Sequence, residues 1–327
     1  MQIFHNANYN FIRWRWQALA LSFLVVAAGA AVIVMQGLPL SIDFSGGTQL
    51  IVKFEQEVSL DRIREALPGD EQVQQYDDPA EHQVLIRLPQ AGTSEQGQGL
   101  EQTSKQVEES LQKAGLPKFT IEARDLVGPT VGKDLQRRGI LSVLLSLAAI
   151  TIYIGFRFRF SFAVGAIAAT FHDVLVTIAF LVFFKYELSL NIVAAILTIT
   201  GYSVNDTIVI FDRVRENLKA MRREPLEKVV NLSVNQTLGR TIITAGTTFL
   251  SVAALYLFGG EALEGFAFTM MVGIISGTYS TVFIASSIAI ILSHRKRGTP
   301  AGAAAPTAAA GAPVTSKPKP KKARAAS

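Results

Sequence analysis

Long apolar runs, separated by short polar stretches, dominate the chain. Crossing the hydrocarbon core of a bilayer as a helix takes about 20 apolar residues. Six segments are long enough: 17–35, 139–156, 162–184, 188–211, 241–258 and 266–292. Backbone in lipid satisfies its hydrogen bonds only in a helix or a closed barrel, and runs without period-two alternation select the helix. The first run reads as a retained helix, not a signal peptide. It exceeds a signal's apolar core, and Gly37, Leu38 and Pro39 follow it in place of a small-residue cleavage pattern.

Between the first two spans the pattern changes. Residues 37–138 predict a folded domain of the order βαββαβ, the ferredoxin-like split βαβ unit. Residues 42–55 alternate as a strand. Ser59 is placed to cap a helix over 60–67, which Pro68 and Gly69 end. Segments 73–77 and 82–88 flank Asp78 and Pro79, a hairpin signal. Val107 and Leu111 share a helix face within 94–114, Gly115 ends that helix, and 119–127 reads as the last strand. Gly46 and Gly47 allow a bend or bulge at the start of the first strand. No lysine follows them, so a phosphate loop is excluded. His82 stands alone and reads as a surface strand residue.

Cations in the short flanks set orientation. Arg13 and Arg15 precede the first span, and Arg157 and Arg159 separate the second and third. Arg213, Arg215, Lys219, Arg222, Arg223 and Lys228 separate the fourth and fifth, and Arg295, Lys296 and Arg297 follow the sixth. The alternate short loops hold only Lys185. Both termini are therefore expected in the cytoplasm and 37–138 outside it. Arg137 and Arg138 run against the trend, at the end of a loop long enough to translocate regardless of charge. Residues 1–16 form the cytoplasmic N-terminus, and the polar segment 213–230 predicts an amphipathic connector lying on the membrane surface. Residues 298–327, rich in Ala, Pro, Gly and Lys, predict a disordered basic tail.

Charge adds one exclusion. The formal net charge is +5, and the tail holds Lys317, Lys319, Lys321, Lys322 and Arg324 with no acid, so the rest of the chain is neutral. A nucleic-acid partner is not indicated, and membrane lipid is the surrounding medium. With no cysteine, disulfides, zinc thiolates and iron–sulfur sites are excluded. No metal or organic cofactor is expected.

Ionisable groups inside spans are costly and mark function. Asp173, preceded by His172, lies near the middle of the third span. Asp206 lies in the fourth, and Arg240 opens the fifth. Spans four and five run antiparallel, so Asp206 and Arg240 are expected to meet at similar depth. Ser203, Asn205, Thr207, Thr237, Thr241 and Thr244 form a polar seam around them where lipid-facing helices would carry leucine. Low dielectric favours a neutral carboxyl and a nearby guanidinium favours its anion, so the pair reads as a proton switch, with Asp173 a second relay candidate. A static ion pair locking two helices is the plainer reading of the same residues. An aspartyl protease needs two carboxylates sharing a proton. Asp173 and Asp206 are predicted at different depths, and no enzyme activity is expected. Gly273 and Gly277 in span six make a small-residue face for close helix packing.

Several of these stretches resemble one family. They are SIDFSGGT at 41–48, VGPTVG at 127–132, His172 with Asp173, GYSVNDT at 201–207, FDRVREN at 211–217 and TLGRT at 237–241. In this order they resemble the SecF family of bacterial protein translocase subunits, over about residues 10–295. Ser41 stands where the family commonly has Gly. The resemblance implies half of a resistance–nodulation–division (RND) type transporter, located in the bacterial inner membrane. It implies SecD as the partner of like topology, association with the SecYEG channel and YajC, and a translocating preprotein as cargo. It further implies that protons are the coupling ion, with the positions of Asp206 and Arg240 tied to their passage. A small-solute or lipid exporter of the RND superfamily is the rival reading, for which an outer domain of about 100 residues offers little room.

Overall fold

A computed structural model describes residues 7–67, 72–76, 81–88 and 98–297. A 3-10 turn, Phe11–Trp14, leads into α1, Arg15–Gln36. Then follow α2 (Ile42–Ser45), β1 (Gly47–Phe54), α3 (Leu60–Ala66), β2 (Gln72–Tyr76), β3 (Gln83–Leu88), α4 (Gln98–Lys113) and β4 (Phe119–Val127). The remaining helices are α5 (Pro129–Arg157), α6 (Phe160–Phe183), α7 (Leu190–Ala220), α8 (Leu226–Phe258), α9 (Glu261–Ser280) and α10 (Ser286–Arg297). A π-helical turn, Thr281–Ala285, joins α9 to α10. Among the described residues, six helical segments are long and apolar enough to cross a membrane, α9 to α10 counting as one.

The sheet domain has strand order β2-β3-β1-β4 with every neighbour antiparallel, the split βαβ arrangement expected. Leu50, Val52 and Phe54 on β1 and Val84 and Ile86 on β3 point to one face, as period-two alternation requires. Ile63 of α3 and Val107 and Leu111 of α4 cover that face. Ser59 caps α3 by accepting from the Arg62 N–H. The first expected strand is too long by its opening residues. Ile42–Ser45 is instead one helical turn, because the Ser41 hydroxyl accepts from the Asp43 N–H and caps it. Gly46 and Gly47 then turn the chain into β1 with φ of 73° and 132°. A Cβ on Gly47 would sit 2.8 Å from the Leu88 carbonyl oxygen, so the bend needs glycine twice over. His82 is not in the strand. It takes a left-handed φ of 53° just before β3. Pro68, Gly69, Asp78, Pro79 and Ser94, and the tail 298–327, lie outside the described residues.

The spans extend beyond their expected limits. Helix α5 starts at Pro129, inside the segment assigned to the sheet domain, because Gly128 and Pro129 form a ready helix start. The expected surface connector over 213–230 is not a separate element. Helix α7 runs on to Ala220, and α8 begins at Leu226 after a short turn. Asn217 donates to the Ser233 hydroxyl and to Gln236, both at 2.8 Å, so the two helices stay paired where the polar sequence suggested a departure. Most of the charges in this stretch line the ends of two long helices.

Helices α6, α7 and α9–α10 form the centre. In their most apolar stretches 50%, 50% and 67% of residues are buried, against 17%, 11% and 17% in α1, α5 and α8. Gly273 and Gly277 let α9 press on α7. A Cβ at Gly273 would fall 2.2 Å from Ile199 and one at Gly277 3.0 Å from Ser203.

The sheet domain is strapped to the turn between α6 and α7. The Ser41 N–H donates to the Leu188 carbonyl (2.9 Å), and the Leu188 N–H donates to the Pro39 carbonyl (2.7 Å). The Asp43 carboxylate accepts from the Leu190 N–H at 2.9 Å, where the positive end of the α7 dipole favours an anion. Arg87 of β3 pairs with Glu187.

Candidate functional site

Asp173 sits at the centre of the bundle with no exposed surface. An isolated carboxylate there would be very costly, so its oxygens must be satisfied. Two neighbouring helices supply the donors. The Ser203 hydroxyl of α7 donates to Oδ2 at 2.5 Å, and Ser280 of α9 donates to the same oxygen at 2.7 Å. Ser276, one turn before Ser280, donates to Oδ1 at 2.7 Å. His172 Nδ1 lies 3.1 Å from Oδ1, while its Nε2 is buried without a partner among the described residues.

This cage suits both protonation states. An ionised carboxyl only accepts, and three hydroxyls, joined by the imidazole N–H when Nδ1 carries the proton, fill most of its acceptor sites. A protonated carboxyl must also donate, and a serine hydroxyl can rotate to accept. The π-helical turn begins one residue after Ser280. There the Ser286 hydroxyl donates to the Thr281 carbonyl at 3.1 Å, repairing a ladder that the wider turn disrupts.

Asp206 lies three residues after Ser203, about one turn further along α7 and on the same face. It is 5% exposed, and its Oδ2 has no hydrogen-bond partner among the described residues. Beside it Thr207 meets Thr281 hydroxyl to hydroxyl at 2.9 Å, linking α7 to the π turn. Asp173, Ser203, Asp206, Thr207, Ser276, Ser280 and Thr281 thus make one polar column among apolar helices.

Arg240 does not open its helix. Helix α8 starts fourteen residues earlier, at Leu226. Arg240 is exposed and makes no ion pair with Asp206 among the described residues. The expected direct contact is not formed in the single chain, because α8 turns Thr237 and Thr241 inward and Arg240 outward. Thr237 donates to carbonyls of its own helix, and the Thr241 hydroxyl is buried without a partner among the described residues. Asn205 is exposed on the far side of α7 and leaves the seam. Thr244 bonds its own helix.

Ser276, Ser280 and Thr281 carry no charge to mark them in the sequence, and only their spacing sets them apart. Ser276 and Ser280 are four residues apart in an apolar helix, so both face one side, the side that also carries Gly273 and Gly277.

A second polar group lies at the sheet-domain end. Tyr186 donates its hydroxyl to Glu264 and lies 3.3 Å from the Tyr256 hydroxyl. Burial, then the bond to Glu264, holds the Tyr186 phenol well above its ordinary range, so it stays a neutral donor. Among the described residues, no group of three or more His, Cys, Asp or Glu side chains has metal-binding geometry.

Apolar helices around a buried, hydroxyl-caged carboxylate, strapped to a split βαβ domain, define a polytopic membrane protein of transport type. The comparisons make the assignment specific. Residues 106–295, more than half of the chain, match the family described as Protein export membrane protein SecD/SecF, C-terminal, and residues 31–58 match the SecD/SecF GG motif. The chain belongs to the SecD/SecF family. The Protein translocase subunit SecF of Rhodothermus marinus is 41% identical over 90% of this chain and 96% of its own length. That of Escherichia coli O157:H7 is 37% identical over 88% of this chain and 89% of its own. The crystal structure of SecDF, a translocon-associated membrane protein from Thermus thermophilus, superposes with a TM-score of 0.79 at 34% identity, over 90% of this chain. The chain spans 40% of that longer protein. The SIDFSGGT and VGPTVG stretches meet in space, with Gly132 packed against the backbone of Gly46 and Phe44.

Proposed function

We propose that this chain is a proton-driven subunit of protein export, converting protonation of Asp173 and Asp206 into movement of its sheet domain. The single observation that carries the reading is Asp173, wholly buried and held by hydroxyls from two other helices. A change in its proton count forces serines on α7 and α9 to exchange donor and acceptor roles. Helix α7 begins where Asp43 and Leu188 tie the sheet domain to the bundle, so a shift of α7 reaches that domain directly.

Arg240 acts in the assembled complex. Its exposed position on a lightly buried helix suits an interface with a partner of like topology. A SecD subunit fits that place, since the longer SecDF structure contains a region similar to this chain and a larger remainder. The membrane is the bacterial inner membrane, with both termini cytoplasmic and the sheet domain outside. SecYEG and YajC are the associated channel components, and the cargo is a preprotein. Protons are the coupling ion, the chain needs no organic cofactor, and it is not an enzyme.

The test replaces the titrating group and keeps its shape. In Asp173→Asn, with Asp206→Asn alongside, proton flux and preprotein export are expected to fall at least about tenfold while SecD still co-purifies. Loss of the complex with unchanged specific activity of the remainder would overturn the reading.

A further inference from the structure

At the end of the bundle opposite the sheet domain lies a cavity of about 890 Å³. The α5–α6 turn, the last turns of α7, the start of α8 and the end of α10 line it. Its floor is apolar, with Phe162, Phe211, Val214 and Leu226. Its rim is cationic, with Arg159, Arg215, Lys219 and Arg222 all exposed. Among the described residues none of these four has an ion-pair partner. The neighbouring charges are taken: Arg157 pairs with Asp212, and Glu224 pairs with Lys228.

Two demands must be met together. A small anion satisfies the rim and leaves the apolar floor in water. An uncharged apolar ligand fills the floor and leaves four cations facing one another. The chain's own segment beyond residue 297 carries five cations and no acidic side chain, so its charge does not complement the rim. An anionic glycerophospholipid meets both demands, and the cavity sits at the end of the spans, where headgroups lie.

We propose that this cavity binds one anionic phospholipid of the leaflet opposite the sheet domain. Its phosphate lies among Arg159, Arg215, Lys219 and Arg222, and an acyl chain lies along Phe162 and Val214. The bound lipid ties the α5–α6 turn to the α7–α8 turn.

The test is lipid retention by the full chain in detergent, read by native mass spectrometry with phosphatidylglycerol or phosphatidylcholine of matched chains. Phosphatidylglycerol is expected to be retained at least about 25-fold better. Each rim cation contributes about fivefold, so Arg215→Gln with Arg222→Gln lowers retention roughly 25-fold and leaves phosphatidylcholine unchanged. Equal retention of the two lipids, or no effect of the double variant, overturns the proposal. A second readout locates the acyl chain. Leu218→Trp lines the cavity, and Trp14→Phe with Trp16→Phe removes the two native tryptophans. Brominated-chain phosphatidylglycerol is expected to quench this reporter more strongly than the brominated phosphatidylcholine. Equal quenching by both, or release of the lipid by millimolar inorganic phosphate, would reduce the site to a surface or a phosphate site and overturn it.

Discussion

Asp173 is wholly buried, so its carboxyl oxygens rest on serine hydroxyls from two other helices. Removing a donor and removing the charge are therefore different experiments. Ser276→Ala or Ser280→Ala leaves a buried carboxylate oxygen short of a partner and is expected to cost about 1–3 kcal/mol. Thermal unfolding of the purified protein in detergent checks it, as a lowered midpoint. Asp173→Asn keeps the shape and drops the charge, so it is expected to leave that midpoint within a few degrees while transport is lost. A fall in stability larger than that of the serine variants would make Asp173 a structural anchor. Tyr186 offers a control at the other polar group. Its folded-state phenol titrates above the ordinary 10.0, so its bond to Glu264 is intact at neutral pH and is lost only at more alkaline pH. Tyr186→Phe is expected to cost about 1 kcal/mol, measured as a small midpoint shift below pH 9.

Helices α7 and α9 approach because α9 presents glycine where α7 presents Ile199 and Ser203. That approach brings Ser276 and Ser280 within reach of Asp173. Gly273→Ala places a methyl where Ile199 already stands, and overpacking of this kind costs about 1–3 kcal/mol. Because the clash is with a side chain, Ile199→Ala in the same molecule is expected to recover much of the loss. A double-mutant cycle on unfolding midpoints reads the coupling. Additive effects would mean that the glycine serves some purpose other than contact with α7.

Coupling between the sheet domain and α7 passes through few atoms. The sheet domain meets α7 through the Pro39–Leu188 backbone pair, the Asp43 contact and the Arg87–Glu187 ion pair. Arg87 and Glu187 are each less than a fifth exposed, so the pair is shielded more than a surface bridge. Arg87→Ala is expected to loosen this strap by about 1.5 kcal/mol, roughly tenfold faster amide exchange at Leu188 and Leu190. Export is expected to fall while proton flux persists, since the carboxylates are untouched. Equal loss of both would place Arg87 upstream of the proton step.

Much of this protein is written in local pattern. Lipid demands long apolar helices, and a half-buried sheet demands alternation, so six spans and a split βαβ domain follow from residue type alone. Asp173, Asp206 and Arg240 stood out for the same reason, as charges where charge is costly. The rest depended on which faces meet. A hydroxyl in an apolar helix reads alike whether it bonds its own carbonyl, as Thr244 does, or a carboxylate, as Ser276 and Ser280 do. The sequence likewise suggested a surface connector, since charges on a helix prolonged past the membrane look like charges on a helix lying flat. Packing decided between them, because Asn217 found Ser233 and Gln236 across the turn. Periodicity reports what one element buries, and only the tertiary arrangement determines what it is buried against.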